Sequence, residues 1–119
     1  RNNGAFCNDK VISVSEVADT HQGTLMTGIP AKQNYTNDEF SSMINLFQGW
    51  KKVRMIGSAA IANSYVANGR ADCYEEKDTF IWDVAAGAII VQEAGGIAHL
   101  SALQDNFRLN AKFTNGKVK

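Results

Sequence analysis

Along the 119 residues of the chain the rhythm of apolar and polar positions changes several times. Lys10 to Ser15 (KVISVS) alternates after the glycine-containing entry RNNGAF, as a half-buried strand following a turn does. Thr24 to Ile29 (TLMTGI) reads as a second strand. It runs into Pro30, the single proline, which biases Ile29 toward extended backbone and marks a loop. Thr36 followed by Glu39 makes a capping box. Phe40, Met43, Ile44 and Phe47 then fall at i, i+3, i+4 and i+7, so the spacing predicts a helix that stops near Gly49.

Val53 to Ile56 reads as a short strand, after which Gly57-Ser58 opens the small-residue run AAIANSYVANG, a helix ending at Asn68-Gly69. Ala71 to Glu75 alternates as a strand. Trp82 to Ala94 is long enough for a helix, is apolar on almost every face and closes with Gly95-Gly96; such a helix is expected to be buried between a sheet and a further layer. Gly96 to Leu100 and Ala111 to Thr114 read as further short strands. Strands and helices mix throughout, with no internal repeat or low-complexity tract, so the fold class is α/β.

Composition narrows the functional classes. The chain is 45% hydrophobic and 20% charged, ordinary for a globular protein, and long enough for one domain with a real core. Lys plus Arg and Asp plus Glu balance at 12 each, so no net field draws the chain onto nucleic acid or an anionic membrane. The longest strongly apolar stretch, Ala85 to Val91, falls far below the roughly 20 residues of a membrane-spanning helix. Cys7 and Cys73 lie far apart with no second pair for a metal site or a disulfide framework, and read as reduced thiols in or near the core. The chain shows no secretory leader, which points to the cytoplasm, and its first residue is Arg1 rather than methionine, so the native start is expected elsewhere.

Candidate chemistry sits in four places. Asp83 opens an otherwise buried helix: it is either a carboxylate favoured by the helix dipole and free backbone N–H groups, or the ligand of a divalent cation that satisfies its charge. Gly57-Ser58-Ala59 forms a glycine-bearing turn at a helix N-terminus, which is an ordinary serine cap or a cradle for phosphate. Of Glu75 and Glu76, alternation sends one to each face, so one at most faces a pocket. Arg54, in an apolar strand, is a pocket cation or a side chain reaching solvent along its stem. His21 and His99 stand apart, and neither is assigned a role.

Three segments in order, KVRMIGSAA, ADCYEEKDTFIWD and WDVAAGAIIVQEAGG, together resemble the C-terminal half of the inositol monophosphatase family. The last resembles that family's second signature, a Trp-Asp followed by small residues and closing in Glu-Ala-Gly-Gly. NNGAFCNDKVISVS is similar to the family strand after a GAF-Asn-Gly turn, with Asp9 where glycine is usual, and Thr114-Asn115-Gly116 resembles a segment near the family's end. The resemblance implies a mixed sheet with flanking helices and magnesium-dependent hydrolysis of a phosphate monoester, inositol monophosphate first. It implies that Asp83 is a magnesium ligand, that Gly57, Ser58 and Ala59 hold substrate hydroxyl or phosphate groups, that Glu76 contacts the polyol, and that Arg54 lies beside the substrate loop. Ala31 stands in the TGIPAK loop where members preferring inositol phosphate often carry serine, which leaves fructose bisphosphate, 3'-phosphoadenosine 5'-phosphate and histidinol phosphate as alternative substrates.

The family's first signature, Asp-Pro-(Ile/Leu)-Asp-Gly-Thr, is absent from the chain, and Asp9, Asp19, Asp38 and Asp105 lack its context. The expectation is therefore a single partial domain over residues 1–119, missing most metal ligands, inactive by itself and inclined to form a homodimer or higher oligomer through an uncovered apolar face. A non-catalytic oligomerisation module is the competing reading.

Overall fold

A computed structural model describes residues 5–7, 10–28, 36–55 and 58–118. The chain begins with a small antiparallel pair, β1 (Ala5–Cys7) and β2 (Lys10–Ile12). A single 3-10 turn at Thr20–Gln22 leads into β3 (Thr24–Thr27), followed by α1 (Asn37–Gln48), β4 (Lys52–Met55), α2 (Ala59–Ala67), β5 (Cys73–Phe80), α3 (Ile81–Glu93), β6 (Ile97–Leu100) and β7 (Arg108–Thr114). The last five strands form one mixed sheet in the order β4-β3-β5-β7-β6, in which β4, β3 and β5 run parallel while β7 is antiparallel to both β5 and β6. The expected mixed sheet with flanking helices is what the chain forms.

Several boundaries follow from visible chemistry. The Thr36 side chain accepts from the Glu39 N–H at 3.1 Å and the Glu39 carboxylate accepts from the Thr36 N–H at 3.0 Å, so the capping box starts α1 where the sequence placed it. At the end of α2, Gly69 adopts φ +81°, a left-handed turn that β-carbons resist. Other boundaries moved. The alternation from Lys10 to Ser15 yields a strand only through Ile12, because Val14 bonds the Ala94 carbonyl and Ser15 turns to a buried carboxylate. Strand β5 runs on past Glu75 to Phe80, carried by its ladder with β7 and a bulge between Glu76 and Thr79. Ile29, Pro30 and Ile56 lie outside the described residues.

From β3 the chain moves outward to β4, then returns across β3 to β5. Crossovers between parallel strands are right-handed, so this reversal places α1 and α2 on opposite faces of the sheet. Helices α2 and α3 pack on each other and over β5 and β7. Their core includes Met26, Val66, Tyr74, Val84, Val91, Leu109 and Phe113.

Helix α3 departs from its expected burial. Val84, Gly87, Ala88 and Val91 form the buried stripe, spaced i, i+3, i+4 and i+7, whereas Trp82, Ile89 and Ile90 remain exposed. Among the described residues of α1 none is buried, and Phe40 and Ile44 of its apolar stripe are about half exposed.

The two core helices meet at Gly87. A β-carbon there would lie 2.2 Å from the Asn63 Nδ2 and 2.7 Å from its Cβ and Cγ, so the Asn63 side chain occupies the space glycine leaves. Asn63 is 1% exposed and neither polar atom of its amide has a hydrogen-bond partner among the described residues. Gly87→Ala should lower unfolding free energy by about 2–3 kcal/mol through overpacking, and Asn63→Ala in the same chain should recover at least about half of the loss. Urea denaturation of the two single variants and the double variant measures this coupling; simple additivity would show that the two residues do not meet.

Candidate functional site

In a sheet with parallel strands, ligands bind beyond the carboxyl ends of those strands, where the strand order reverses. Here that edge lies past Thr27 of β3, past Met55 of β4 and along Glu75 and Glu76 of β5. Several of the residues singled out from sequence lie on or just after these strands in the chain. Ser58 caps α2, its hydroxyl accepting from the Ile61 N–H at 3.3 Å. Ala59 opens that helix, whose first N–H groups have no intrahelical acceptor. Gly57 lies outside the described residues. Arg54 is exposed on β4, the edge strand, in register with Met26.

Glu75 and Glu76 part to opposite faces, as alternation requires. Glu75 approaches Lys112 at 3.9 Å. Glu76 shares the helix face with Tyr74, whose buried hydroxyl donates to the Glu76 Oε1 at 2.8 Å. Two residues that the sequence reading passed over, Tyr74 and Gly28, therefore belong to this corner. Gly28 follows the last residue of β3, and a β-carbon there would sit 2.8 Å from the Glu76 Oε1. The signal available in sequence was the TG dipeptide before the loop, but nothing in it named Glu76 as the neighbour.

Asp83 occupies the first turn of α3, exposed, with no side-chain cap at Phe80. The preceding aromatic explains how this turn is braced. Trp82 stacks on Phe80 with ring centroids 4.6 Å apart and meets Phe107 at 6.1 Å, while the Arg108 guanidinium sits 4.0 Å over the Phe80 ring. The Ile81 N–H bonds the Phe107 carbonyl at 3.0 Å. The helix start is thereby fixed to the segment entering β7, and Asp83 is held close enough to act on Tyr74. Burial, chiefly, raises the Tyr74 pKa above its ordinary value; the Glu76 charge and hydrogen bond add to this, Thr79 opposes it, and Asp83 adds a smaller part.

Among the described residues no three His, Cys, Asp or Glu side chains converge as a metal cluster. Asp83 fits one position in an oxygen-ligand sphere, an exposed carboxylate at a helix N-terminus, but magnesium requires near-octahedral coordination that one aspartate does not complete. A separate shallow cavity of about 360 Å³ lies on the other face, lined by Glu75, Lys77, His99, Asn110 and Lys112 among others; it does not include Glu76 or Asp83.

Cys73 and Tyr74 give the region its pH signature. Burial first and then the Glu75 charge push the Cys73 thiol up to about 12, against the opposing Lys112 and with a further contribution from Asp72. Both groups stay neutral in the fold and ionise more readily in the unfolded chain. The Cys73 contribution is complete below about pH 9 and is lost as pH rises through about 12, and the Tyr74 contribution begins to fall above its ordinary value of about 10. The urea midpoint should fall between about pH 8 and about pH 11, and less so in Tyr74→Phe; a midpoint constant over that range would contradict the burial of these groups.

Comparisons with known proteins identify the family and agree with this fold. The model of the inositol monophosphatase family matches residues 1–115. The chain is 43% identical over 98 residues to Nus factor SuhB of Pasteurella multocida, covering 82% of this chain and 37% of that protein. It is 44% identical over 121 residues to inositol-1-monophosphatase of Synechocystis sp., covering 97% of this chain and 41% of the relative. The solved structure of inositol monophosphatase from Anabaena (Nostoc) sp. superposes with a TM-score of 0.83 at 33% identity, covering 97% of this chain and 47% of that one. The chain thus spans less than half the length of these relatives. With a family match over nearly its whole length and this structural likeness, the chain belongs to the inositol monophosphatase family.

Proposed function

We propose that the protein carrying this chain hydrolyses a phosphate monoester of a polyol, inositol monophosphate first, with magnesium. What supports the reading is the placement of Ser58 at the start of the helix after β4, of Glu76 on β5 just past its parallel pairing with β3, and of Asp83 in the first turn of α3, in a chain of this family. In this reading the turn at Gly57, Ser58 and Ala59 receives the phosphate or a substrate hydroxyl on helix N–H groups. Glu76 accepts hydrogen bonds from polyol hydroxyls. Asp83 is one magnesium ligand, its remaining partners coming from polypeptide outside these 119 residues. When bound, the ion activates water and neutralises phosphoryl charge. Arg54 adds positive charge at the rim.

Relatives leave the substrate class broader than inositol. A Thermotoga maritima protein 35% identical over 117 residues carries the name fructose-1,6-bisphosphatase/inositol-1-monophosphatase. A sugar phosphate is thus the nearest alternative, and Ala31, outside the described residues, leaves that choice open. The exposed Trp82, Ile89 and Ile90 on α3 support a surface that more polypeptide or a second copy covers in the working protein, which we take to be cytoplasmic and at least dimeric.

The test compares phosphate release from inositol 1-phosphate with magnesium by the 119-residue chain and by the same chain extended to the length of its relatives. Activity is expected only in the longer protein, and Asp83→Asn there should reduce turnover by about a hundred-fold or more. Turnover by the short chain would refute the division of the metal site, and full turnover by Asp83→Asn would return that residue to helix capping.

A further inference from the structure

Resting on that reading, we infer that Tyr74 and Gly28 are positioning residues: together they hold the Glu76 carboxylate in the one orientation that recognises a polyol hydroxyl, and so set preference for polyol phosphates over simple esters. The argument starts from the strand. Side chains at Tyr74 and Glu76 share the helix face of β5 because they are two residues apart. A glutamate there has several rotatable bonds and would sample many positions. Two contacts remove that freedom.

The Tyr74 ring is fixed first. It is 1% exposed, packs among the core residues of α2 and α3, and meets Phe113 with ring centroids 5.7 Å apart. Its hydroxyl is thereby immobile, and it donates to the Glu76 Oε1 at 2.8 Å. Thr79, itself buried, lies on the same side of the strand, although it is an odd number of residues from Tyr74 and Glu76. The bulge between Glu76 and Thr79 permits this by returning Thr79 to their side of the strand.

Gly28 supplies the second contact from the neighbouring strand. Thr27 pairs with Glu75, so Gly28 comes beside Glu76. Any β-carbon at 28 would lie 2.8 Å from Oε1, 2.9 Å from Cδ and 3.1 Å from Oε2. The carboxylate rests against bare backbone, and only glycine leaves that space. With one lone pair of Oε1 engaged by Tyr74, the carboxylate keeps further acceptor positions for a ligand's hydroxyl groups. A phosphate ester lacking hydroxyl groups gains nothing from this arrangement.

The experiment uses the chain extended to the length of its relatives, with steady-state kinetics on inositol 1-phosphate and on p-nitrophenyl phosphate, which carries no hydroxyl groups. Tyr74→Phe should raise the KM for inositol 1-phosphate relative to that for p-nitrophenyl phosphate by about five-fold, the loss expected for one oriented hydrogen bond. Gly28→Ala should change the ratio in the same direction. It leaves the core aromatic in place, so it decides the matter if Tyr74→Phe fails to fold. An unchanged ratio in the folded variants overturns the inference, provided Glu76→Gln shifts it. Should Glu76→Gln also leave the ratio unchanged, polyol recognition by Glu76 is what has failed. A crystal structure of Tyr74→Phe, or of Gly28→Ala if the former does not fold, then decides positioning: a carboxylate swung away supports it, and an unmoved one overturns it.

Discussion

The buried carboxylate of Asp72 is the constraint around which this chain is arranged. A charge withdrawn from water is costly unless donors replace the lost hydration. Asp72 is 6% exposed and receives the Ser15 hydroxyl on Oδ1 and the Thr24 N–H on Oδ2, the latter at 2.7 Å. Asn115, itself buried, extends the network. Its amide donates to the Ser15 hydroxyl and the Val17 carbonyl, and its oxygen accepts the N–H groups of Lys117 and Val118. One acid thus binds the segment before β3, the entries to β3 and β5, and the exit from β7. Without it the strand ends that start the site-bearing half of the sheet would have no common anchor.

From that anchored end the strands run to the opposite edge, where the chemistry gathers. The division is economical in physical terms: the buried polar network holds one end of the sheet, and carboxylates at the other end remain available to solvent or ligand. Between the two ends, the contact of Asn63 with Gly87 brings α2 and α3 together about one turn behind Ser58 and Asp83. A shift at that crossing would move both helix starts, so packing in the core and geometry at the site are not separable in this fold.

Helix α3 combines a buried stripe with an exposed apolar side. No helix of the described chain is long and apolar enough to cross a membrane, yet α3 carries large exposed apolar side chains. In the core the same helix follows a regular stripe. Its buried side packs on α2 and the sheet, while Trp82, Ile89 and Ile90 face away from them.

Much of this was legible in the residues. The capping box at Thr36 and Glu39, the serine turn at Ser58, the glycine after Asn68 and the opposed faces of Glu75 and Glu76 are local effects, decided by atoms a few bonds or one helical turn apart, and the sequence shows them directly. The signature around Trp82 and Asp83 marked the family. Only the tertiary structure decided that β5 continues through Lys77 to Phe80, since the ladder with β7 and its bulge depend on residues some thirty positions away. It also decided which side of α3 is buried, because a helix of nearly uniform hydrophobicity carries no stripe to read. Finally, it placed Gly28 against Glu76: a missing β-carbon acquires meaning only when two strands, 48 residues apart in the chain, lie side by side.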